Sequence, residues 1–281
     1  MKKNKTKYFQ LIFVLLMMSC NGIEDSHYYQ TRKQNSKKEE VTRLSDDRTY
    51  ELKLPVLKKR ESYLWEDGKE FGLTKITKEF FRCKGSPLNP TKIDDSNLDK
   101  PLSYSDCEGC LKHSLPLIHG KENVYPVLID ILNYIQKQTK RKVIITCGHR
   151  CPIHNIYADN SSKNRTSKHM VGAEVDFYIL GMEYTPMDVI ELILQFYKTT
   201  PGYKGHREYE SFARYQQDTD VQIKPWYNKE IFLKLYQKDE GRDVDNRHPY
   251  PYICIQVRYD RDEKERVAYS WDQAARGYLR Y

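Results

Sequence analysis

Residues 167–177 read SKHMVGAEVDF, from Ser167 to Phe177. Gly172 allows a sharp turn, because a residue without Cβ tolerates backbone angles closed to others. After the turn the residues alternate as in a strand. Glu174 and Asp176 then face one side, and Val175 and Phe177 the other. His169 stands before the glycine and can fold back over the start of that strand. An imidazole and a carboxylate placed this way can share a metal ion. The same spacing also describes a turn followed by an ordinary core strand, so the rest of the chain has to choose.

Upstream, NVYPVLIDILNYIQKQT carries Val127, Leu128, Ile131, Leu132 and Ile135 at helical spacing. KVIITCG follows as a buried strand ending at a glycine turn, and GHRCPIHN reads as a loop. Downstream, TPMDVIELILQFYK predicts a second amphipathic helix, with Thr185 as its cap and Pro186 in its first turn. YPYICIQVRYD predicts a third strand and RVAYSWD a fourth. Mixed helices and strands with hairpins near the C-terminus predict an α+β domain: a small antiparallel sheet flanked by helices, over residues 122–281. An insert at about 203–247 is aromatic and charged, with Pro225-Trp226-Tyr227 near its middle. Its aromatics suit either a local core or a surface that stacks on sugars or peptides. The run DEGRDVDN gathers carboxylates without the pattern of a calcium loop. Residues 61–121, with scattered aromatics and turns such as GSPLNP, predict an extension of short strands and loops packed on that domain.

The N-terminus begins MKKNKTKYFQ, continues as the short apolar run LIFVLLMM and reaches Ser19-Cys20. These are the parts of a secretory leader over residues 1–19. The run is short for a transmembrane helix. Cysteine after a small residue resembles a bacterial lipobox, although Met17 stands where leucine is usual. That resemblance implies lipidation at Cys20 and an anchor in the bacterial cell envelope, facing the periplasm or exterior. Residues 20–60 are charged and poor in large apolar side chains, as a flexible tether would be.

The chain has 281 residues and a formal net charge of +8. A basic surface favours anionic partners. Export excludes nucleic acid and leaves anionic lipid or a wall polymer. Apart from Cys20 there are six cysteines: Cys83, Cys107, Cys110, Cys147, Cys151 and Cys254. An even number in an exported protein predicts disulfides. The pairs Cys107/Cys110 and Cys147/Cys151 also fit a zinc knuckle.

SKHMVGAEVDF resembles the S-x-H-x-x-G-x-A-x-D signature of zinc D-alanyl-D-alanine carboxypeptidases and their peptidoglycan endopeptidase relatives, whose fold is shared with the hedgehog signalling domain. Ser167, His169, Gly172 and Asp176 match, and Glu174 stands at the signature's alanine. VIITCGHRCPIHN resembles the family's I-T-S-G-x-R-x-x-x-x-N segment through Gly148, Arg150 and Asn155, with Cys147 in place of serine. The resemblance covers about residues 122–265. It implies zinc as cofactor, with His169 and Asp176 as ligands. Arg150 would grip a substrate carboxylate or carbonyl, helped by Ser167 and Asn155. Glu174, on the same face as Asp176, is the candidate general base, although the family usually supplies that group close to the third ligand, where no glutamate stands here. The family's third ligand is a histidine on the strand that here reads YICIQVR. His248 and, on that strand, Cys254 are the alternatives, unless Cys254 is held in a disulfide and the site is degenerate. The implied activity is hydrolysis of amide bonds in peptidoglycan peptides, as carboxypeptidase or endopeptidase. The alternative is an inactive module that binds wall peptides or a protein.

Overall fold

Six antiparallel strands carry the domain: β1 (Val143–Cys147), β2 (Glu174–Ile179), β3 (Ala213–Arg214), β4 (Trp226–Tyr227), β5 (Ile231–Tyr236) and β6 (Tyr252–Val257). Their order across the sheet is β1-β2-β6-β5-β4-β3. The computed structural model describes residues 69–70, 72–94, 102–159 and 166–281. The leader, Cys20 and tether read in residues 1–60 lie outside the described residues. Among the described residues no helix is long and apolar enough to cross a membrane.

Alternation decides which face of the sheet is which. Val175, Phe177 and Ile179 of β2 join Ile231, Leu233 and Leu235 of β5 and Ile253, Ile255 and Val257 of β6 in one core. Helices α1 (Pro126–Thr139) and α3 (Pro186–Thr199) bury their stripes in that same core, through Leu128, Ile131 and Ile135 and through Ile190, Ile193 and Phe196. Each such side chain adds roughly 1.5–3 kcal/mol of burial. The opposite face carries Glu174, Asp176 and Cys254, and all three are buried as well. That face therefore has a polar interior of its own.

The α+β pattern is present, with two differences from the sequence reading. GHRCPIHN is not all loop: α2 (Pro152–Ala158) begins there, with Pro152 in its first turn and the Cys151 sulfur accepting from the His154 amide. RVAYSWD is not a strand: only Glu265–Arg266 pairs, with Tyr259–Asp260, and Trp271 starts helix α5 (Trp271–Arg276), capped by Ser270. Within the insert, a short helix α4 (Arg207–Glu210) precedes β3 and β4. β5 lies at the centre of the sheet, pairing along its length with β6, because Ile231, Leu233 and Leu235 alternate inward. Ahead of α1, the described residues of 72–94 and 102–122 form a 3-10 turn at Lys78–Phe81 and short two-stranded ladders.

Candidate metal centre

The register of three strands builds the site. β6 sets Cys254 directly across from Asp176 and Gln256 across from Glu174. On the other side β1 shifts register between Ile145 and Cys147, so that Cys147 falls opposite Asp176. Such a bulge re-aims the side chains beside it. His169 arrives from the 3-10 turn Lys168–Val171, which ends at Gly172 in the left-handed conformation. Ser167 caps that turn through the His169 amide (3.2 Å).

His169 has its tautomer fixed by a backbone contact. Its Nδ1 lies 2.6 Å from the Gly148 carbonyl, which can only accept, so Nδ1 carries the hydrogen. Nε2 then faces Asp176 at 3.6 Å and Glu174 at 3.8 Å. Metal-bound imidazoles are held in this way, with the outer nitrogen donating to a carbonyl. Asp176 Oδ2 accepts from the Asn246 amide at 2.9 Å, whereas its Oδ1 is buried with no partner. An orphaned carboxylate oxygen is costly unless something cationic meets it. The Cys254 thiol donates to Glu174 Oε1 at 3.1 Å, and Gln256 donates to the same oxygen at 2.7 Å. Ser167 donates to Glu174 Oε2 at 3.2 Å.

The electrostatics follow from two carboxylates and one imidazole in a buried space. Burial pushes the His169 pKa down, but Glu174 and Asp176 outweigh it and raise it to about 9. Burial pushes Glu174 up, but His169 and the donors Cys254 and Gln256 bring it down to about 2. Burial, then Glu174 and Asp176, push the Cys254 thiol well up. A single proton on His169 thus balances part of the negative charge. A divalent cation would balance more of it, and the donors are spaced for one. Glu174, Asp176 and Cys254 form one close group, and Cys147, His169 and Asp176 form another.

The predicted site residues do not all gather. His169, Asp176, Glu174 and Cys254 do. His248 stands apart from them, its ring 4.9 Å from that of Tyr178 and 5.8 Å from that of Tyr252. It precedes β6 on the Pro249/Pro251 segment and stacks among tyrosines, whereas Cys254, on the strand itself, lies beside Glu174 and Asp176. Arg150 is buried and already engaged: its Nε donates to Asp245 at 2.9 Å, and its Nη2 binds Asp243. The grip on substrate expected of Arg150 is in this structure a grip on the insert. Ser167 and Asn155 both line the cleft above the donors, a space of about 280 Å³ that also touches Lys234, Tyr236 and Tyr269.

Asp243, Asp245 and Asn246 were not read as site residues. They belong to DEGRDVDN, which folds over the polar face and ties Arg150, Asp176 and, through Asn246, Thr146 (2.5 Å) into one network. Their sequence signal was the cluster of carboxylates, which does not say where a loop will land. The six cysteines expected to form disulfides are free thiols. Cys254 bonds to Glu174 instead, and Cys110 is half-buried on its own.

Comparison of the chain with models of known families, with curated proteins and with solved structures gives no match. The residues themselves carry the functional argument.

Proposed function

We propose that the cleft is the active site of a zinc peptidase that hydrolyses amide bonds of peptidoglycan peptides, on a hedgehog-type fold like that of D-alanyl-D-alanine peptidases. The observation that carries this reading is the presentation of His169 Nε2 toward Asp176, whose Oδ1 lacks a partner. The resemblance of SKHMVGAEVDF to the peptidase signature supports it. His169, Asp176 and Cys254 would hold the metal, a mixed donor set that zinc accepts. Bound zinc would polarise the scissile carbonyl and acidify a water. Glu174, aimed at the same space, would take up that water's proton. Gln256 and Ser167 keep the Glu174 carboxylate oriented for it.

A long groove of about 1000 Å³ adjoins the cleft and shares Lys168, Asp220, Lys234, Gln256 and Tyr269 with it. Tyr215, Tyr227, Phe232, Lys229 and Arg258 extend its walls. Aromatic faces with neighbouring cations suit a peptide or glycan bearing carboxylates. A lipid anchor at Cys20 would hold the enzyme at the envelope, where that polymer lies.

One observation favours a second reading, a binding module without catalysis. Arg150 has two of its donors committed to Asp243 and Asp245, which leaves less of its fork for a substrate carboxylate. Incubating the full-length protein with zinc and defined muropeptides separates the two. The peptidase reading expects new amine or D-amino-acid products by mass spectrometry, lost in Asp176→Asn with the circular dichroism spectrum unchanged. Saturable binding without products supports the module. Neither products nor binding discards both.

A further inference from the structure

A second cluster of metal-binding side chains lies away from the cleft. Cys83, Cys107, His113 and Cys151 are all buried, and one donor atom from each lies within 4.8 Å of the others. The Cys83 and Cys107 sulfurs are 3.8 Å apart, and Cys107 Sγ is 3.7 Å from His113 Nε2. A tetrahedral zinc with Zn–S of about 2.3 Å places two sulfurs about 3.8 Å apart and a sulfur and a nitrogen about 3.6 Å apart. A disulfide needs about 2.05 Å, and three thiols cannot all pair.

The surroundings have the features of a ligand shell. His113 Nδ1 faces the Ser114 carbonyl at 3.1 Å and so carries the hydrogen, leaving Nε2 bare toward the sulfurs. The His154 amide points at Cys151 Sγ at 3.4 Å. Backbone crowds in as well: a Cβ on Gly85 would lie 2.0 Å from Cys107 Sγ.

The cluster also stands where an apolar core is missing. Its cysteines form a small separate core with Tyr278 as the one other member. They come from three distant segments: Cys83 after the 3-10 turn, Cys107 and His113 in the next loop, and Cys151 at the start of α2. Small regions without enough apolar surface are held by disulfides or a metal, and these thiols are unpaired.

We propose that Cys83, Cys107, Cys151 and His113 bind a structural zinc ion that fastens the segments bearing Cys83 and Cys107–His113 to the loop bearing Arg150. Binding releases the thiol protons to solvent and closes all four positions, so this zinc has no place for substrate. The proposal is independent of the peptidase reading.

The test uses the full-length chain, purified with zinc under reducing conditions, beside a His169→Ala/Asp176→Asn/Cys254→Ser variant that lacks the cleft donors. That variant should retain about one zinc per chain by elemental analysis. Its cobalt(II) form should show thiolate-to-metal charge transfer. In the unsubstituted chain, alkylation of Cys83, Cys107 and Cys151 should be at least about tenfold slower than that of Cys110, and chelation should remove the difference. Cys107→Ser should lose this zinc. Should that variant prove insoluble, the alkylation pattern of the unsubstituted chain decides. A zinc-free triple variant, alkylation indifferent to chelator, or a disulfide among the three cysteines would overturn the proposal.

Discussion

Two donor clusters lie on either side of Gly148 and differ in what surrounds them. The cluster of Cys83, Cys107, Cys151 and His113 is sealed by burial, with Tyr278 packed against its cysteines. The group of His169, Glu174, Asp176 and Cys254 is equally buried, but its first three members line a cleft. In the sealed cluster every donor is directed at another donor. In the open one, Asp176 Oδ1 is directed at nothing. Saturated donors suit holding a structure together, and an unsatisfied one beside a cleft suits handling a ligand. His154 links the two regions, with Nδ1 at 2.6 Å from Asp106 and Nε2 at 3.2 Å from Asp245, the partner of Arg150.

The contrast breaks most visibly if the sealed cluster proves dispensable. Cys107→Ser is expected to cost at least about 4 kcal/mol, and chelation of the unsubstituted chain to have a similar effect. Thermal denaturation with and without chelator reads both. An unchanged melting temperature in both experiments would remove the structural role.

Arg150→Ala comes next. It leaves the half-buried Asp243 and the buried Asp245 side chain without the guanidinium, a loss of about 3 kcal/mol. Urea unfolding should show the full loss, and Arg150→Lys should recover only part of it, since an ammonium lacks the planar fork. Full recovery with lysine would mean that charge alone matters at this position.

Glu230 calibrates both sites, because it is a buried carboxylate outside either cluster. Burial raises its pKa to about 7, against the ordinary 4.5, although the Tyr197 and Tyr203 hydroxyls pull the other way. The folded chain therefore keeps this proton longer than the unfolded one. The resulting stabilisation is complete below about pH 4.5 and is lost as pH rises through about 7, up to about 3 kcal/mol. Glu230→Gln should flatten that part of the stability profile between pH 5 and 8. Parallel profiles for the two proteins would contradict the assignment.

The smallest effect is expected at Ser167, which caps the His169 turn and donates to Glu174. Ser167→Ala should cost about 1 kcal/mol of stability. Its zinc affinity at the cleft should fall by a small factor while zinc in the sealed cluster is unaffected. Equal loss from both would show that the two sites are not separable.

The alternation of Glu174, Val175, Asp176 and Phe177 was legible in the sequence because strand period and burial agree there. The stripes of α1 and α3 were legible for the same reason. Cys254 across from Asp176 was accessible only as one of three alternatives, beside His248 and a disulfide, since strand pairing is a long-range choice that local pattern does not encode. The sealed cluster was legible only in part, since Cys107 and Cys151 both stood in the zinc knuckle that the cysteine spacing suggested. The close pair Cys107/Cys110 suggested a knuckle, but the fold uses Cys107 and leaves Cys110 aside. It recruits Cys83 and His113 instead, through turns whose meeting depends on tertiary structure. DEGRDVDN gave its charges but not its destination over Arg150 and Asp176.

Gly148 has a consequence for where this chain can be cut. A side chain there would strike the main chain of Phe81, at 2.6 Å from both its Cα and its carbonyl oxygen. The His149 amide donates to that same oxygen, and the Gly148 carbonyl orients His169. The aim of the cleft histidine is thus inherited from a segment some ninety positions upstream. The smallest portable unit of the molecule begins ahead of Phe81, not at residue 122 where the regular helices and strands start. A fragment trimmed to those elements would lose Ile76, Phe81 and Leu115 from its apolar core and, with them, the bearing of its imidazole.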